Sequence, residues 1–119
     1  MTGIFGSDFY DDQTGMIIGG NWEKMEDNTN NKAITKDGGK TWQLIADGQL
    51  PGYRSSIQYL SNTSPDHLLA VGIPGITYSE DGGQSWTQLS DEAFYTSRKA
   101  NQVVWLGGNK KMAKWKIAV

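Results

Sequence analysis

Cysteine is missing from the 119 residues, histidine occurs once and proline three times. Without cysteine the chain can have no disulfide, no thiolate metal site and no cysteine nucleophile. The compartment stays open, because a large β fold in an oxidising space does not require bridges. The one histidine, His67, follows Ser64-Pro65-Asp66 and reads as a surface turn residue rather than a metal ligand. Long apolar runs are also missing: Met16–Ile18 and Leu68–Val71 are the length of strands, not of membrane spans. No charged, apolar and small-residue succession of the signal-peptide kind opens the chain. No window keeps a helical period, and no glycine-rich phosphate loop leads from a strand into a helix. A net charge of −2 offers no excess of positive charge for tracking nucleic-acid phosphates. Lys110, Lys111, Lys114 and Lys116 do cluster, but they alternate with apolar residues, the pattern of a strand with one wet face. The expectation is therefore no nucleic acid, no membrane insertion, no metal and no cofactor.

What is present is glycine (15) and tryptophan (5), and their placement is periodic. The phrase Thr35-Lys36-Asp37-Gly38-Gly39-Lys40-Thr41-Trp42 returns as Ser79-Glu80-Asp81-Gly82-Gly83-Gln84-Ser85-Trp86, with the two aspartates 44 positions apart. A period of about 40–45 residues, made of short strands and Gly-rich turns, is the length of one four-stranded propeller blade. Apolar runs recur in the same frame around each copy, and they total eleven strands: four, four and three. The predicted class is all-β: a partial β-propeller forming one domain, with a blade over about 3–46, a second over about 53–90 and an incomplete third over about 93–118. Wide sheet faces and open edges would remain exposed. The expected partner is accordingly the remainder of a longer propeller, or copies of the same chain completing a ring.

The repeated phrase has a mechanical reading. A tight hairpin between third and fourth strands needs positive φ, which Gly38-Gly39 and Gly82-Gly83 supply. The carboxylates of Asp37 and Asp81 can accept N–H groups of their own turns. Hydroxyls of Thr35, Thr41, Ser79 and Ser85 can join them, and Trp42 and Trp86 then pin each turn to its blade. Turn chemistry accounts for each residue type, so these aspartates read as staples rather than catalytic acids or metal ligands.

The phrase resembles the Asp-box or BNR repeat (Ser/Thr-x-Asp-x-Gly-x-Thr/Ser-Trp) of sialidases, sortilin-type receptors and photosystem II assembly-factor propellers. Its defining positions here are Thr35, Asp37, Gly39, Thr41 and Trp42, then Ser79, Asp81, Gly83, Ser85 and Trp86. The stretches Pro51–Tyr59, Leu69–Gly72, Gly75–Ser79 and Met112–Ile117 look like the last blades of Bacteroidetes BNR-repeat proteins. The resemblance implies boxes at the blade periphery, opposite the ligand mouth, and an export route to the cell envelope or beyond.

In a propeller the 2–3 turns and the 4–1 connections ring one mouth. The 2–3 segment of the first blade, residues 21–31, is longer than its counterpart, which makes Trp22 and Glu23 candidates; a solvated surface loop is the competing reading. The 4–1 connections contribute Tyr53, Arg54, Asp91, Glu92, Tyr95 and Arg98. Arg54 and Arg98, the only arginines, each follow their aspartate by 17 positions, a pair suited to a carboxylate or sulfate. Repetition for packing is the competing reading. No spacing pairs a nucleophile with its base, so no catalytic residue is assigned. The expected function is a non-catalytic binding or assembly scaffold for a protein segment or glycan. The alternative is a fragment of a sialidase-like glycoside hydrolase whose other catalytic residues lie outside this chain.

Overall fold

A computed structural model describes residues 2–117. Position 118, the expected end of the third blade, lies outside the described residues. Eleven strands form, and no helix occurs among the described residues. They are β1 (Thr2–Phe9), β2 (Gly15–Asn21), β3 (Lys32–Thr35), β4 (Gln43–Leu44), β5 (Ser56–Tyr59), β6 (Leu68–Gly72), β7 (Gly75–Ser79), β8 (Thr87–Ser90), β9 (Thr96–Ala100), β10 (Val103–Gly108) and β11 (Lys111–Lys116). They build three antiparallel sheets in chain order, β1-β2-β3-β4, β5-β6-β7-β8 and β9-β10-β11. We call these blades one to three, and call the face turned toward the next blade the leading face.

Blade two is sandwiched, and β6 shows it. All five residues of Leu68–Gly72 are buried, because successive side chains of a strand point to opposite faces. Leu68 and Ala70 pack with Met16, Ile18, Ile57, Tyr59 and Trp86 in the seam with blade one. Leu69 and Val71 pack with Phe94, Val104, Leu106 and Ile117 in the seam with blade three. Each fully buried aliphatic side chain of this kind contributes about 1.5–3 kcal/mol, so the seams hold the blades together.

Hydrogen bonds tie the innermost strands as well. Asp8 accepts from Tyr59 N at 2.8 Å, and the hydroxyls of Ser56 and Ser97 meet at 2.6 Å. Strand β1 contains a bulge at Phe5: Ile4 pairs with Gly19 and Gly6 with Ile18. A side chain at Gly6 would come within 3.0 Å of Ser56 Cα, so glycine lets β1 approach β5.

The two repeated hairpins are superimposable in their bonding. Asp37 Oδ1 accepts from Thr41 N at 2.9 Å and from Thr35 Oγ1 at 2.8 Å. Asp81 Oδ1 accepts from Ser85 N at 2.9 Å and from Ser79 Oγ at 2.9 Å. Gly39 N and Gly83 N donate to Thr35 and Ser79, both at 2.9 Å. The glycines take φ of 74° and 91° in the first turn, 75° and 91° in the second. Each hairpin is also bonded to the 1–2 turn of its own blade, Gly38 N to Gln13 O and Gly82 N to Asp66 O, both 2.9 Å. The tryptophan acts differently from expectation. Trp86 joins Met16 and Ile18 in the seam, so it clamps its hairpin to the preceding blade rather than to its own.

Candidate functional site: the mouth between the blade connections

The 2–3 turns and the 4–1 connections do converge at one end of the sheets. Arg54 N donates to Gly19 O at 3.1 Å and Phe94 N to Gly72 O at 3.3 Å, which lays each connection against the top of the preceding blade. Ser55 Oγ donates to Tyr95 O, joining the second connection to the first.

The segment 21–31 is folded down rather than free. Tyr53 N donates to Met25 O at 2.9 Å and Gly48 N to Asn28 O at 3.0 Å. A side chain at Gly52 would collide with Met25 O at 2.3 Å, so the two segments touch backbone to backbone. The knot beneath them is Lys32, 2% exposed. Its ammonium donates to Asn31 Oδ1 and Pro51 O at 2.8 Å and to Gln49 O at 2.9 Å, with Asn28 O at 3.4 Å. Asn31 Nδ2 donates to Gly52 O at 2.8 Å and Pro51 O at 3.1 Å. Burial pulls the Lys32 ammonium down to about 8, against the opposing attraction of Asp47. Asn31 and Lys32 were not singled out by the sequence reading. A signal existed: Lys32 lies five positions before its aspartate, where the second copy has Ile76, and a lysine in a core position needs a reason.

The candidate residues separate into two groups. Trp22 and Tyr95 stand on the rim, 48% and 47% exposed, and Ile73 of the short blade-two turn joins them at 41%. Glu23, Asp91 and Glu92 are exposed there too; Asp91 accepts from Gln88 Nε2 at 3.2 Å, and Glu92 faces Lys111 Nζ at 3.4 Å. Tyr53 and Arg54 are instead buried below the rim. The Tyr53 ring meets Phe5 edge-on at 5.4 Å. Arg54 donates from Nη1 to Tyr53 O at 2.7 Å and from Nη2 to Gln88 Oε1 at 3.0 Å. Burial lowers its pKa to about 10. It is a latch between a connection and blade two.

The two arginines are not brought together. Ser56 pairs with Val71 as Thr96 pairs with Gly107, so the counterpart of Arg54 is Phe94. Arg98 sits inside β9, opposite Trp105, at the place of Gln58. The equal 17-residue spacing misleads because eleven residues separate β4 from β5 and only five separate β8 from β9. His67, beside β6, is half-buried and hydrogen-bonds Tyr78 through Nδ1 at 2.9 Å. The charge count hid a further feature. All 13 acidic residues lie in the first 92 positions, whereas Arg98, Lys99, Lys110, Lys111, Lys114 and Lys116 belong to the third blade.

Against solved structures, the chain is similar to "YCF48 bound to D1 peptide", with a TM-score of 0.67 and 21% identity. The fold is that of a β-propeller. The match covers 98% of this chain and 38% of that one, so the three blades correspond to well under half of that propeller. No protein-family model and no curated protein matches the sequence.

Proposed function

We propose that this chain is part of a non-catalytic propeller scaffold that holds a polypeptide segment at its mouth. The supporting observation is the rim itself: Trp22, Ile73 and Tyr95 stand exposed over a base fixed by Lys32 and Arg54. Exposed aromatic and aliphatic side chains on a rigid base bind with little loss of conformational freedom. Glu23, Asp91 and Glu92 on the same rim favour a segment of apolar and basic residues. The similar propeller, YCF48, is bound to a peptide, which agrees with this mode of use. We read the two stapled hairpins as Asp-boxes, and the open faces of blades one and three as surfaces covered by further blades or partners.

The test is selection of short peptides on the chain, followed by calorimetric titration of the best binder. Trp22→Ala and Tyr95→Ala should each weaken that peptide at least tenfold, since truncation of a central aromatic anchor typically costs 2 kcal/mol or more, that is, about 2–4. Turnover of a fluorogenic sialoside or another glycoside would overturn the non-catalytic reading. A glycan that binds the rim and displaces the peptide would replace the partner class.

A further inference from the structure

Blades one and two present similar leading faces. Blade one offers Met16 and Ile18, and blade two offers Leu69 and Val71; all four are buried by the blade that follows. By register the same places in blade three hold Trp105 and Gly107. Trp105 is flanked by Arg98 on one side and Lys114 on the other, and Gly107 by Thr96 and Met112. Lys116 lies opposite Val103 on this face. The Lys114 ammonium is 5.9 Å from the Trp105 ring. Among the described residues the side chains of Arg98 and Lys116 have no hydrogen-bond or ion-pair partner, whereas Lys99 is held by Asn62 at 3.1 Å and Lys111 by Glu92 and the Phe94 ring. Where the missing side chain of Gly107 leaves space, a cavity of about 280 Å³ opens, lined by Thr96, Arg98, Trp105, Gly107 and Met112.

Strand β11 adds an edge. Among the described residues it pairs with β10 alone over Lys111–Lys116, while the third strands of the other two blades are covered by β4 and β8. Its outer N–H and C=O groups are available to an extended chain. From these observations we propose that the leading face and outer edge of blade three dock an extended acidic polypeptide segment, added as a strand to β11. Alternate side chains of an added strand fall on one face of the sheet. Carboxylates at every second position then lie beside Lys114 and Lys116, with Arg98 of β9 extending the positive strip, and the apolar side chains between them fall on the opposite face, beside Ala113 and Trp115. A fourth blade with the aliphatic surface used in the two existing seams fits poorly, because it would bury three cations without partners. Nucleic acid could neutralise the charges but offers nothing to the backbone of β11. The surface meets the mouth only at Gly107, whose carbonyl accepts from Tyr95 N at 2.7 Å, and it takes the opposite charge.

The probe is a fluorescent ten-residue peptide alternating Glu and Val, titrated against the full chain by anisotropy. Controls are the matching Lys–Val peptide and a single-stranded oligodeoxynucleotide of equal charge. The Glu–Val peptide should bind; Arg98→Glu with Lys114→Glu should weaken it at least tenfold while Trp22→Ala leaves it unchanged. Of two versions N-methylated at alternate positions, one should bind as the parent and the other at least tenfold worse. Comparable urea midpoints for parent and variant show that the fold is intact, since both replaced side chains are exposed. The proposal is overturned if the Lys–Val peptide or the oligonucleotide binds as tightly, if both methylated peptides bind alike, or if the double variant binds as the parent does. It is equally overturned if light scattering shows that a second copy of the chain occupies this face and excludes the peptide.

Discussion

Trp86 and Trp42 hold the same place in successive hairpins, yet Trp86 is 9% exposed and Trp42 39%. The difference is the neighbour. Trp86 lies on Met16 and Ile18 of blade one and donates from Nε1 to Gly83 O at 2.9 Å. Trp42 has Phe9 of its own blade edge-on at 6.1 Å and is otherwise turned to the outside. Trp86→Ala should therefore cost about 3–5 kcal/mol, the usual range for emptying a buried aromatic site. Trp42→Ala should cost under about 1 kcal/mol, as a surface change does. Urea unfolding of the two variants checks the ordering, and equal losses would contradict the seam.

The stapled aspartates make a second, pH-dependent case. Hydrogen bonds from the Thr41 hydroxyl and backbone, then from Thr35, hold Asp37 down to about 2. For Asp81 burial pushes upward, but the bonds from Ser85 and Ser79 outweigh it and the net direction is also down. A carboxylate lowered in the fold contributes stability above its unfolded value near 3.8 and loses it as pH falls toward about 2. Urea midpoints should drop across that window. Asp37→Asn should already be less stable at neutral pH and show a flatter acid limb.

Lys32 acts in the opposite region of pH. Its folded value of about 8 lies below the ordinary 10.5. Between those values the unfolded chain binds more protons, so this group makes stability rise as pH rises. Lys32→Met should remove that rise. At pH 7 it should also cost about 1–3 kcal/mol, because carbonyls of Gln49 and Asn28 lose their donor. Unfolding series at pH 7 and pH 10 distinguish the two effects.

The arginines should separate in the same assay. Arg54→Ala removes a buried latch and leaves Gln88 Oε1 without its donor, a loss of about 1–3 kcal/mol. Arg98→Ala, on an exposed face, should stay within about 0.5 kcal/mol. If Arg98→Ala were the more damaging, the register assigned to β9 would be wrong.

Much of the architecture was legible in the chain. The phrase at 35–42 and 79–86 specifies its turn through contacts within a few residues, and local chemistry of that kind needs no knowledge of the rest. Strand number and order followed from apolar runs between such turns. The mouth was legible only in outline. Trp22, Glu23, Asp91, Glu92 and Tyr95 reach its rim, but Arg54 goes inside and Arg98 goes to another blade, because a spacing count cannot detect a shortened connection.

The sequence alone settled the hairpins: two glycines at positive φ, an aspartate to accept the N–H four residues on, and a hydroxyl to accept from the second glycine. Tertiary structure decided which faces meet. Whether Trp86 is covered and Trp42 is not, or whether Lys32 finds carbonyls across 17 to 19 positions, depends on backbones distant in the chain coming within contact range. Short-range hydrogen bonding is written in neighbouring residues, whereas burial is a property of the assembled blades.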